Sequence, residues 1–87
     1  MNAQSKPRFG KGVKLRREED GNVMLLVPEG ALVLNRPAAV ALELVDGNRT
    51  LGEIVAAVVE RFDVTSKRAS EDLCGLFERL AERRFLE

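Results

Sequence analysis

The sequence predicts an α+β domain, a three-stranded antiparallel sheet followed by three helices. Three observations lead there. Between residues 13 and 34, short apolar runs alternate with turns that carry Gly or Pro, which is the punctuation of a β-meander. From Asn35 onward, apolar residues recur at helical spacing in three blocks, each opened by a residue that can cap a helix. Strands followed by helices, in a chain this size, favour helices gathered on one face of a small antiparallel sheet.

In the first strand, "VKLRRE", Val13 and Leu15 share one face and Lys14 and Arg16 the other, as in a half-buried strand. Asp20-Gly21 then signals a tight hairpin with positive φ at both central positions. "VMLLV" is the second strand. Pro28-Glu29-Gly30 is the next turn, with Pro presetting φ at its first corner. "ALVL" is the third strand.

Asn35 can accept hydrogen bonds from the free N–H groups of a starting helix, and Pro37 falls in the first turn, where its missing N–H is not needed. Val40, Ala41, Leu44 and Val45 are the expected buried stripe of this helix, and Gly47 suits its left-handed stop. Thr50 and Glu53 have capping-box spacing for a second helix, whose stripe is Leu51, Ile54, Val55, Val58 and Phe62. Ser66 is the expected cap of a last helix running to about Arg84, with Ala69, Leu73, Leu76, Phe77 and Leu80 on one face.

The 87 residues suit one domain, and a chain of this length buries only roughly two-thirds of the surface its unfolded form exposes. That leaves little material for a deep pocket. No apolar run could span a bilayer, no secretory signal core opens the chain, and a single cysteine excludes an internal disulfide, so a cytoplasmic location is expected. Residues 1–17 hold six bases and no acid, and the remainder carries a net charge of −6. Residues 1–12 read as a flexible basic arm, dispensable for folding, ahead of a domain at 13–87. Such an arm could steer an acidic partner.

No catalytic residue is identified. Histidine is absent, which removes the usual general base at neutral pH, and one cysteine without histidine argues against a zinc or iron–sulfur site. No cofactor or metal is expected. Cys74 reads as a small buried hydrophobe and Gly10-Lys11-Gly12 as a hinge, not a phosphate loop. Asp46 to Thr50 reads as a stop and a cap joining two helices. The last helix has five bases and four acids, a poor surface for counterion release, so nucleic acid is not an expected partner. A DNA-binding winged-helix relative and a homodimeric structural domain are the alternative readings. Salt response separates the first from peptide binding, because affinity for nucleic acid falls steeply with salt.

The third strand poses the functional question. "ALVL" has neither charge nor proline within it, although exposed edge strands are normally blunted by one or the other. An edge left adhesive suits the addition of a peptide strand; a second copy of the chain is the competing occupant.

The string "LLVPEGALVLNRPAAVALELVDGNRTLGEIV", Leu25 to Val55, resembles the pyrroloquinoline quinone biosynthesis protein D family (PqqD). The shared features are the two apolar strands around Pro-Glu-Gly, the Asn cap, the small-residue helix start, the Asp-Gly stop and Thr-x-x-Glu-Ile-Val. The likeness covers nearly the whole chain outside residues 1–8. It implies a winged-helix-like peptide chaperone with the hairpin placed first. Such a chaperone binds the precursor peptide PqqA and presents it to the radical SAM enzyme PqqE, which crosslinks a glutamate to a tyrosine. Related domains hold leader peptides as an added strand between the third strand and the third helix. Carried onto this chain, the site is Ala31, Leu32, Val33 and Leu34 with Leu73, Leu76, Phe77 and Leu80. One departure stands out. Relatives often end in Gly-aromatic, whereas this chain has Arg84-Phe85, so a different arrangement of the helix end is expected.

Overall fold

The computed structural model describes residues 1–87. Its elements are β1 (Lys14–Arg17), β2 (Val23–Val27), β3 (Gly30–Val33), α1 (Arg36–Glu43), α2 (Leu51–Arg61) and α3 (Ser66–Glu82). The antiparallel sheet has the order β1-β2-β3, so β3 is an edge strand. The strands-then-helices order is the one expected. The first turn differs in detail. The Gly21 N–H donates to the Glu18 carbonyl at 3.0 Å, and Gly21 alone takes a left-handed φ, of 89°. This is a longer loop closed by a glycine, because Asp20 turns its carboxylate onto the Asn22 N–H instead of adopting positive φ itself.

Register fixes the two faces. Leu15 lies opposite Leu25, and Leu25 opposite Leu32, so these residues face the helices. Lys14, Arg16, Met24, Leu26, Ala31 and Val33 share the outer face. The core joins Leu25, Leu42, Leu51, Ile54, Val58 and Phe77, all completely or almost completely buried. In α1 the buried residues are Ala38, Ala39, Ala41 and Leu42, with Val45 buried just beyond the helix; Val40 and the C-cap Leu44 are only half-buried, a rotation of the expected face. The run "AAVALELV" is apolar nearly all round, so its periodicity does not choose a face.

The caps explain where the helices begin. Asn35 Oδ1 accepts from the Ala38 N–H at 2.9 Å. Thr50 and Glu53 form the reciprocal capping box, at 2.8 and 3.1 Å. In α3 the cap is Thr65, whose Oγ1 accepts from the Arg68 N–H at 3.1 Å; Ser66 is the first helical residue and not the cap. The helix closes at Glu82 with a Schellman turn. The Phe85 N–H reaches the Leu80 carbonyl at 2.8 Å, the Arg84 N–H reaches Ala81 at 3.0 Å, and Arg84 sits at φ 64°. The left-handed turn that glycine favours is thus made by an arginine, and Phe85 still tucks beside Leu80 in the core.

Residues 1–12 depart most from expectation. They are laid along the domain as a strap. Phe9 pairs with Leu86, and Arg8 and Glu87 exchange backbone hydrogen bonds at 3.1 and 2.8 Å. Pro7 is completely buried and its carbonyl accepts from the Gly47 N–H. Further back, the Ser5 and Ala3 carbonyls accept from the Leu51 and Gly52 N–H groups at 2.8 and 3.0 Å. Those are the first donors of α2, which have no partner within the helix. Gly10 is no hinge either. It lies buried against Arg84, where a Cβ would collide with the carbonyl oxygen.

Candidate functional site

β3 presents a free edge, and the hydrogen-bond pattern shows which groups it offers. The Leu34 N–H donates to the Val23 carbonyl, so that pair faces inward. Antiparallel pairing alternates, so Leu32 and Gly30 also bond to β2. The N–H and C=O groups of Ala31 and Val33 therefore point away from the sheet. The first hairpin agrees: the Glu18 N–H bonds to Asn22, so alternation directs Met24 and Leu26 toward β1 and leaves Val23, Leu25 and Val27 for β3. All four β3 residues are exposed, and Val33 retains 76% of its accessible surface.

Beside this edge runs a cleft of about 430 Å³. Its walls are Val33, Leu34, Pro37 and Ala38 on one side and Ala69, Leu73, Gly75 and Leu76 of α3 on the other, with Val58 and Val64 between. Arg68, Glu71, Asp72 and Arg79 stand along its helical side. Arg68 and Asp72 form a loose pair at 3.8 Å between exposed groups. At the far end, Arg83, the residue that follows α3, approaches Glu29, in the turn before β3, at 3.8 Å. The start of α3 and the residues after β3 meet in the cleft, so α3 runs antiparallel to β3. An extended segment placed on the edge would have backbone partners on one flank and the mixed apolar and charged side chains of α3 on the other.

The eight expected site residues divide three ways. Val33, Leu34, Leu73 and Leu76 line the cleft. Ala31 and Leu32 are exposed on the strand but do not line it. Phe77 and Leu80 belong to the core, with 0% and 4% of their surface accessible. They lie one helical turn apart on the face turned toward the sheet and α2, so they support the cleft from behind. Sequence reasoning missed Pro37, Ala38, Val64 and Gly75, because nothing in their local pattern distinguishes a cleft wall from a loop or a helix flank.

The remaining motifs have structural roles. The Asp46 carboxylate accepts from the Asn48 and Arg49 N–H groups at 2.8 Å each, and these bonds hold its pKa below the ordinary carboxylate value. The Thr50 N–H does the same to Glu53. Cys74 is half-buried on α3, and its sulfur lies 3.8 Å from the Ser70 hydroxyl. No helix is long and apolar enough to cross a membrane.

Comparisons with known proteins show the family of the chain. The PqqA binding protein of Rhizobium meliloti is 31% identical over 100% of this chain and 90% of its own length. That of Azotobacter vinelandii is 39% identical over 93% of this chain and 88% of its own. The solution structure of the PqqD truncation of Methylobacterium extorquens PqqCD superposes with a TM-score of 0.81 at 31% identity, covering 100% of this chain and 94% of that one. That protein is described as a functional, stand-alone recognition element for ribosomally synthesized and post-translationally modified peptides. The profile of the family described as coenzyme PQQ synthesis protein D matches residues 22–86, from β2 through the buried Leu86, and with these full-length likenesses the chain belongs to the PqqD family.

Proposed function

We propose that this chain binds the precursor peptide PqqA as a strand added to β3 and presents it to the radical SAM enzyme PqqE in the cytoplasm, without catalysing a step itself. The observation that carries the reading is the unpaired backbone of Ala31 and Val33 beside the cleft. Strand addition draws affinity from main-chain hydrogen bonds and register from side-chain pockets, and both halves of that requirement are present together. The names of the relatives supply the peptide. The absence of histidine leaves the chain without the usual proton-transfer group, so its contribution is positioning. A homodimer formed through the same edge would compete with peptide.

The test is a titration of the chain with PqqA, followed by backbone amide resonances, with and without PqqE. Shifts concentrated at residues 31–34 and along the cleft side of α3 are expected. Binding that leaves those amides unmoved, or crosslinking of PqqA by the chain alone, would contradict the proposal.

A further inference from the structure

Two arginines of α3 line the cleft, and only one of them has an acid to hold. Arg68 pairs with Asp72 at 3.8 Å. Arg79 belongs to none of the ion pairs of the chain. Its helical surroundings explain why. Side chains three and four positions apart are neighbours on a helix. Those of Arg79 are Gly75, Leu76, Glu82 and Arg83, so Glu82 is the one acid among them. The guanidinium extends the other way, toward the N-terminus of α3, as long helical side chains do. One of its terminal nitrogens lies 3.5 Å from where a Cβ on Gly75 would stand. Glu71, the other unpaired charge of the cleft, lies two turns away, about 12 Å along the axis. The guanidinium of Arg79 thus lies along bare helix backbone on the cleft wall, with its charge unanswered.

We infer that Arg79 is a specificity-determining residue for the added strand: its guanidinium holds one carboxylate, of an aspartate or glutamate, in the bound peptide. This rests on the reading of the cleft as the peptide site. A guanidinium can give a carboxylate two parallel N–H bonds, which fixes position as well as adding affinity. Arg83 reaches Glu29 and the start of α3 meets the residues after β3, so Arg79 stands toward the Ala31 end of the cleft. Alternate residues of an added strand point to the same side, so one acid held there sets the register of the strand against the free groups of Ala31 and Val33. Main-chain bonds alone would accept a slipped register; the charge contact would not.

Arg79→Gln and Arg79→Glu test this with PqqA as the probe. Arg79 is exposed, so both variants should fold with a Tm near the parent's. At low salt Arg79→Gln should bind PqqA about twofold to fivefold more weakly, the scale of an ion pair open to solvent, and Arg79→Glu more weakly still. The difference from the parent should shrink as salt is raised. PqqA variants with each acidic residue changed singly to Lys then locate the partner. One of them should bind the parent weakly and bind Arg79→Glu better than unmodified PqqA does, a coupling that a purely structural role for Arg79 would not produce. Arg79→Lys, which keeps the charge, should retain part of the affinity. Unchanged binding by Arg79→Glu at low salt overturns the inference, as does a loss that every PqqA variant shares equally. In either case amide shifts at residues 31–34 would leave the site reading intact. Failure of the parent chain to bind PqqA at all overturns the site reading and this inference with it.

Discussion

Gly10 meets Arg84 backbone to backbone: the Gly10 N–H donates to the Phe85 carbonyl at 2.9 Å, and a Cβ on Gly10 would collide with the carbonyl oxygen of Arg84. The strap and the C-terminal turn are therefore one unit. Gly10→Ala should destabilise the domain by roughly 2 kcal/mol, since backbone has to move to admit the methyl group. Deletion of residues 1–11 should cost about 2–4 kcal/mol. It removes the buried Pro7 and backbone hydrogen bonds worth about 0.5–1.5 kcal/mol each, and it exposes the first donors of α2. Thermal unfolding of both variants checks this; an unchanged Tm on deletion would show the strap to be a free arm.

Arg84 occupies the left-handed position of the Schellman turn at φ 64°. Side chains with a Cβ are disfavoured there by about 1–2 kcal/mol. Arg84→Gly should stabilise the domain by about 1 kcal/mol, raising Tm by about 4–8 °C. Arg84→Val, β-branched and least tolerant of positive φ, should lower it. Equal Tm values for the three chains would contradict the turn as described.

Asp46 and Glu53 carry depressed pKa values because folding aims backbone N–H groups at their carboxylates. A depressed folded pKa contributes stability above the unfolded values, ordinarily 3.8 and 4.5, and that contribution is lost as pH falls through the lower folded values. Asp46→Ala and Glu53→Ala should each be less stable than the parent at neutral pH. Their Tm curves should converge on the parent's as pH falls toward about 2. A gap that persists undiminished in acid would assign the effect to something other than these charges.

Much of this fold is legible in the sequence because its signals are local. The Thr50–Glu53 box, the Asn35 cap and the Pro28 turn each need only a few neighbouring residues. The buried stripes of α2 and α3 are legible because polar residues flank them; that of α1 is not, because the helix is apolar almost all round. The strap was invisible for a different reason. Its anchors are backbone carbonyls of Ala3, Ser5 and Pro7 that accept from the N–H groups of Gly52, Leu51 and Gly47, far along the chain, and carbonyls carry no residue identity. At the site, the unblunted edge of β3 could be read from composition. The separation of Leu73 and Leu76, which line the cleft, from Phe77 and Leu80, which lie behind it, required the packing of α3 on α2 and the sheet.

Strand addition at this edge depends on which N–H groups of β3 are free. Alternation makes Val33 an outward donor and Leu32 an inward one bonded to Leu25. Proline lacks the N–H, and on an edge strand it is tolerated only where that group faces solvent. Val33→Pro should therefore fold with a Tm close to the parent's, and Leu32→Pro should be strongly destabilised. The decisive measurement is the affinity of folded Val33→Pro for PqqA. A loss of at least about tenfold, the scale of one backbone hydrogen bond together with displaced neighbours, is the result predicted. Val33→Pro that is folded and binds PqqA as tightly as the parent would contradict strand addition at this edge.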